Sequence, residues 1–376
     1  MRRGDAINLS NRVRRSPFFE ATLASGAQDF TIYNHMWMPT LYASAEDDYR
    51  ALTERVTLWD TAAERQVEIR GPGAEDFVRR LTPRNLDRWA VGQCKYLFLC
   101  DETGGIINDP VGLKLADDHI WLSLADGDIL HWVKGLALGW GLTLSITEPD
   151  VSPLQVQGPR ATEVMEAVVG PSIRDLKFFR FAETEIDGAP VVISRTGWSN
   201  ERGYEIFLCD GSFGNALWER FMAAGKPFGI APGAPNQANR IEAGMLSYGA
   251  DMDRLNTPFE IGLGRFVDLG QDMDFIGKPA LARARDEGPK RVIAGLKIEG
   301  EPQPNNMTRE PVFFGTERVG EVTSRAYSPR VGANIALAYL DPGLTEPRTR
   351  LCVEIGDRHI DATVHSLPFI VTDKRA

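Results

Sequence analysis

Residues 66–81 read QVEIRGPGAEDFVRRL and residues 154–168 read LQVQGPRATEVMEAV. Each is a short strand, a Gly-Pro step and an amphipathic helix, with Phe77, Val78 and Leu81 on the apolar face of the first copy and Val164, Met165 and Val168 on that of the second. Gly71 and Gly158 stand 87 positions apart. Each unit continues alike, as IINDPVGLKLADDHIWLSLADGDILHWV and APVVISRTGWSNERGYEIFLCDGSFGNALWERF, hairpins of alternating apolar residues followed by a helix that carries Trp132 or Trp218. A strand–helix–hairpin–helix unit made twice, over about 60–147 and 148–235, predicts an α+β protein whose two sheets pack around a pseudo-twofold axis.

Beyond the repeat, QANRIEAGMLSYG predicts a helix with Ile241, Met245 and Tyr248 on one face. The polar stretch GQDMDFIGKPALARARDEGPK reads as a linker with one short helix. From residue 291 the apolar period becomes two: RVIAGLKIEG buries Val292, Ala294, Leu296 and Ile298, and TRLCVEIG and HIDATVHSL alternate likewise. The division expected is therefore 1–285 for the repeat-bearing region and 286–376 for a small all-β module. With 376 residues, 43% of them hydrophobic, two or three real cores are affordable.

Charge and motif content narrow the function. Asp and Glu (52) outnumber Lys and Arg (42), for a net charge of -10, which argues against a nucleic-acid binder. No apolar run reaches the roughly 18 residues of a membrane span, and the N-terminus MRRGDAINLSNRVRRSPFFE lacks the apolar core of a Sec signal, so a cytoplasmic protein is expected. Four cysteines and five histidines show no C-x-x-C, H-E-x-x-H or H-x-H spacing, so no metal is expected; Cys94 and Cys100 read as reduced and buried. GPGAED at 71–76 lacks the phosphate-loop spacings and reads as a helix start, with Pro72 in its first turn.

Three segments carry candidate chemistry. In DETGGIINDP, 101–110, Asp109 beside Pro110 is either turn chemistry or an acid held in a cleft. In SRTGWSNERGYEI, 194–206, Glu205 lies on a strand and must face water, the simpler outcome, or find buried donors; a planar heterocycle with parallel N–H groups would suit it. TIYNHMWMP, 31–39, concentrates Tyr33, His35 and Trp37, which either wall a cationic ligand or build ordinary core.

Taken with LWDTAAERQVEIRGP, KYLFLCDETGGIINDP, LQVQGP, RIEAGMLSYGADMD and GEVTSRAYSPRVGANIALAYL, these segments resemble the folate-binding family of the glycine cleavage T protein from about residue 30 onward. The resemblance implies two ferredoxin-like folate-binding units and a C-terminal β-barrel in a three-domain ring, with tetrahydrofolate in a central hole. Position by position it implies Asp109 next to the reactive folate nitrogens, Glu205 gripping the pterin, Tyr96 in the folate pocket, and Trp198 in place of a family tyrosine that packs on the folate.

The departures are equally specific. Where the T protein has an arginine this chain has Asn236, keeping Arg240, and Asn108 replaces the first Asp of the family's D-D pair. Those changes count against an aminomethyl-lipoyl substrate delivered by a carrier protein. YNHM at 33–36, TPRNL at 82–86 and EPDVSPLQVQGP resemble a subgroup of the family that moves a methyl from dimethylsulfoniopropionate to N5 of tetrahydrofolate. The implied partners are a small-molecule methyl donor and tetrahydrofolate as acceptor, with Tyr33, Asn34 and His35 around the sulfonium and Arg84 on its carboxylate. Open beside this are an aminomethyltransferase of glycine-cleavage type, a demethylase of another onium or methoxy compound, and a folate-binding regulator without turnover.

Overall fold

A computed structural model describes residues 11–373, so the first ten residues of the basic N-terminus lie outside the description. The two Gly-Pro units each build a sheet backed by helices, antiparallel except where Ile230–Gly233 pairs parallel with Val56–Asp60. In the first, five strands run in the order Ser145–Thr147, Gln66–Arg70, His119–Ser123, Val111–Ala116, Gln93–Tyr96. Helices Ala74–Leu81 and Leu130–Gly139 cover one face, burying Val67, Ile69, Phe77, Val78, Leu81, Leu122 and Val133. In the second, Phe181–Ile186, Ala189–Ser194, Gly203–Leu208 and Ser152–Gln157 take the corresponding places, and helices Ala161–Val169 and Gly214–Gly225 cover Leu154, Val156, Tyr204, Ile206 and Leu208.

The second sheet has a sixth member that the repeat does not foreshadow. Strand Val56–Asp60, which precedes the first unit in the chain, lies between Ser152–Gln157 and Ile230–Gly233. The chain then crosses at Thr61–Arg65 straight into Gln66–Arg70 of the other sheet. The two sheets meet face to face through Cys94, Leu113, Trp121, Val192 and Phe207.

Strands Val292–Ile298, Ala333–Leu340, Glu317–Ser328, Glu310–Phe314, Arg350–Ile355 and Arg358–His365 close into the expected barrel around Leu296, Val312, Val322, Ala338 and Val353. Two local expectations shift. The helix of QANRIEAGMLSYG spans only Gln237–Glu242, because Gly244 at φ 66° turns the chain left-handed and directs the Met245 N–H back to the Arg240 carbonyl. Met245 and Tyr248 therefore lie beyond it. The helix after Pro72 begins at Ala74, behind Gly73 at φ 85°, so Pro72 precedes the first turn. Cys94 and Cys100 are buried free thiols, and no helix among the described residues is long and apolar enough to cross a membrane.

Candidate active site

Side-chain alternation decides what reaches the gap between the sheets. Tyr204 and Ile206 point to the helices, so Glu205 and Phe207 point to the facing sheet. Cys94 packs in that inter-sheet layer, and Tyr96, two residues along, points the same way from the first sheet. Where the layer's apolar filling ends, polar residues of both units take its place in the cleft between the two sheets.

Glu205 is not on the surface, as its strand position alone would favour; it is 6% exposed. Its cross-strand neighbours are Gln155 and Ser194. Gln155 Nε2 donates to Glu205 Oε1 at 2.9 Å, Thr196 Oγ1 donates to Oε2, and Ser194 Oγ lies 3.5 Å from the same oxygen. Burial pushes the Glu205 carboxyl up to about 7, the two hydroxyls opposing it. The loop that carries Trp198 lies flat on this strand pair because Gly197 and Gly203 have no side chain; a Cβ at either would sit 2.0 or 2.1 Å from the Gln157 side chain. The Trp198 N–H then donates to Gln155 Oε1 at 3.2 Å, and the Arg240 guanidinium stands 5.7 Å from the Trp198 ring.

On the opposite wall, Tyr96 Oη donates to Asp109 Oδ2 at 2.9 Å. Asp109 Oδ1 is buried and has no hydrogen-bond partner among the described residues. Burial pushes the Asp109 carboxyl up to about 7, and the Tyr96 hydrogen bond draws it back only in part. Burial first, then the charge of Asp109, holds the Tyr96 phenol well above its ordinary value, so that phenol is a neutral donor. Tyr33 is half-buried beside both walls. Its phenol is raised by burial and by the charges of Glu64, Asp109 and Asp126.

Other residues named from the sequence have different work. Asn34 spends its whole side chain on backbone: Nδ2 donates to Ala63 O and Ala125 O at 3.0 and 2.9 Å, and Oδ1 accepts from Gly127 N at 2.7 Å. Asn108 clamps the same loop, donating to Ala125 O and Gly127 O and accepting from Ala125 N. An aspartate could not donate to those carbonyls, so Asn108 is a loop clamp. Asn236, in the other altered place, caps Gln237–Glu242 by accepting from Asn239 N at 3.1 Å. His35, at φ 62° on the hairpin tip, leaves its imidazole exposed. Arg84 donates to the Tyr96 carbonyl and lies 4.5 Å from the Phe266 ring; it braces the strand end behind Tyr96.

Glu64 and Gln155 escaped the sequence reading. Glu64 sits on the Thr61–Arg65 crossover, held in a turn by Glu64 N–H to Thr61 O at 2.8 Å. Gln155 Nε2 is 3.3 and 3.4 Å from its two carboxylate oxygens, so one amide group serves Glu64 and Glu205 together. Burial first, then the charge of Glu205, raises the Glu64 carboxyl well above its ordinary value.

Comparison with known proteins agrees with this architecture. Residues 18–271 match the family model of the GCVT N-terminal domain, and 291–370 that of the glycine cleavage T-protein C-terminal barrel domain. The dimethylsulfoniopropionate demethylase DmdA of Ruegeria pomeroyi is 44% identical, covering 96% of this chain and 98% of its own. An aminomethyltransferase of Rubrobacter xylanophilus is 33% identical, over 95% of this chain and 94% of its own. The crystal structure of the glycine cleavage system aminomethyltransferase T from Bartonella henselae superposes with a TM-score of 0.86 at 24% identity, covering 96% of this chain and 99% of that one, a likeness of fold. Two Gly-Pro units, a closing barrel and near-full-length relatives on both sides place the chain in the glycine cleavage T-protein family.

Proposed function

We propose that this chain is a tetrahydrofolate-dependent demethylase that takes a methyl group from dimethylsulfoniopropionate. The observation that carries the reading is Asp109, with one carboxylate oxygen held by Tyr96 and the other buried and without a hydrogen-bond partner among the described residues. Identity favours this substrate as well: 44% to the Ruegeria demethylase against 33% to an aminomethyltransferase, each over nearly the full chain. Tetrahydrofolate supplies the nucleophilic nitrogen N5. The S–CH3 bond breaks with its electron pair left on sulfur while the N–CH3 bond forms, so a neutral thioether departs and the nitrogen's proton must leave.

The residues supply position, charge and a proton acceptor. Glu205, fixed by Gln155 and Thr196, presents a planar acceptor for the pterin's N–H edge. Trp198 and Tyr33 offer aromatic faces that replace the sulfonium's hydration. Asp109 faces the positive charge that develops on the nitrogen, and its unpartnered Oδ1 accepts the proton, directly or through water. A sulfonium is already an activated donor, and holding it in line with the nitrogen can supply about 7–11 kcal/mol. Anaerobic enzyme with tetrahydrofolate and dimethylsulfoniopropionate should yield 5-methyltetrahydrofolate and methylmercaptopropionate. Consumption of another donor with no such products would keep the family and remove the substrate; 5,10-methylenetetrahydrofolate as the product would return the chain to aminomethyl transfer.

A further inference from the structure

We infer that Glu64 is the residue that selects a cationic methyl donor, a second carboxylate set beside the pterin grip to neutralise an onium centre. The inference rests on the proposed function and names what reads the charge of its substrate.

Glu205 and Glu64 share the Gln155 amide, but they are unequally served. Glu205 also receives Thr196 and Ser194, while Gln155 is the only hydrogen-bond donor to the Glu64 carboxylate among the described residues. Glu64 is therefore the carboxylate with acceptor and charge capacity to spare, and its residue is part-buried. Asp109 stands close enough for its charge to be felt at Glu64, and both act on the Tyr33 phenol. Among the described residues no lysine or arginine compensates Glu64, Asp109 or Glu205. These side chains also do not draw together into a metal-ligand group.

A neutral pterin needs one such acceptor and would leave the remaining negative charge unbalanced. A compact onium offers no hydrogen bonds and asks for none. It needs diffuse negative charge and aromatic surface, which Glu64, Asp109 and Tyr33 present together. The crossover explains why the residue is there: a chain passing directly from one sheet to the other must lay its turn across the gap, and Glu64 is on that turn.

The test uses the full chain and two ligands of one shape, dimethylsulfoniopropionate and 4-methylpentanoate, in which C–H replaces the sulfonium sulfur. In Glu64→Gln the KM for the sulfonium should rise about tenfold or more, while inhibition by the isostere, which keeps the carboxylate but lacks the cationic centre, weakens less than about twofold. Glu64→Asp should restore most of the preference. Equal weakening of both ligands would make Glu64 merely structural, and a loss of tetrahydrofolate affinity with the preference intact would make it a folate ligand; either overturns the inference. Wild-type enzyme separates the two levels. If it does not demethylate the sulfonium, the proposed function fails and Glu64's role falls with it; if it does and Glu64→Gln still discriminates, only Glu64's role fails.

Discussion

The barrel junction and the inter-sheet cleft bury charge in opposite ways. At the junction Arg240, 2% exposed, meets the fully buried Asp251 at 2.6 Å, and Asp251 also accepts from Thr323, Ser324 and the Ser247 N–H. Inside the barrel wall Arg325 and Glu310 form a two-pronged pair at 2.8 and 3.0 Å. Each buried ion there has an opposite ion and hydrogen bonds to spare. In the cleft three carboxylates share one amide, three hydroxyls and no cation among the described residues. Junction charges specify how the barrel docks on the helix Gln237–Glu242 and the turn after it. Cleft charges have no opposite ion among the described residues, so burial raises their carboxyls toward neutral pH and protons take the place of partners.

The sharpest break of this contrast is one substitution on each side. Asp251→Asn strands Arg240 and should lower unfolding free energy by about 3–5 kcal/mol. Asp109→Asn should leave denaturant stability equal or higher yet cut kcat by about 10²–10⁴, with a much smaller change in folate affinity. A destabilised Asp109→Asn, or a loss confined to KM, would erase the distinction. Next in size, Glu205→Gln should weaken tetrahydrofolate binding by about 1.5–3 kcal/mol, read by calorimetry; unchanged affinity would remove Glu205 from the pterin site.

The smallest signal is in pH. Asp109 and Glu205 titrate near 7 in the fold, against ordinary values of 3.8 and 4.5. The folded protein thus holds these protons through a window where the unfolded chain has released them. Their contribution to stability is complete below about pH 4 and is lost as pH rises toward 7. Ligand-free wild type should lose Tm over that window relative to Asp109→Asn/Glu205→Gln, whose curve should be flatter. Parallel curves would mean that the cleft carries no such burden.

Much of this was legible from pattern. The Gly-Pro repeat and the switch to period two at residue 291 could be read along the chain, whereas Asp109, Tyr96, Trp198 and Glu205 came together as one site only through the family resemblance. Local pattern could not settle which face of a strand is covered. Glu205 looked best suited to water until a second sheet was packed against it. The asparagines misled for a related reason: Asn34 and Asn108 sit in motifs that suggest a pocket, but their amides match the carbonyls of one loop, a long-range match invisible in spacing. Glu64 lies in LWDTAAERQVEIRGP with no local sign of a role, because only the pairing of Val56–Asp60 with the distant sheet brings it to the cleft.

That same strand sets the order in which the protein can be assembled. Asp60 pairs with Leu154, and Val56 with Ile230. As the chain leaves the ribosome, the first unit can complete its own five strands while Val56–Asp60 waits beside it without a sheet. The second sheet cannot close until Gly233 has emerged, so the early strand is an exposed edge for the whole synthesis of the second unit. A gene cut between the Gly-Pro units would leave each fragment wrong by one strand, the first with an orphan and the second with an empty slot. Two fragments expressed together could trade that strand and reassemble, which makes the crossover a natural seam for a split enzyme that regains its cleft only when both halves meet.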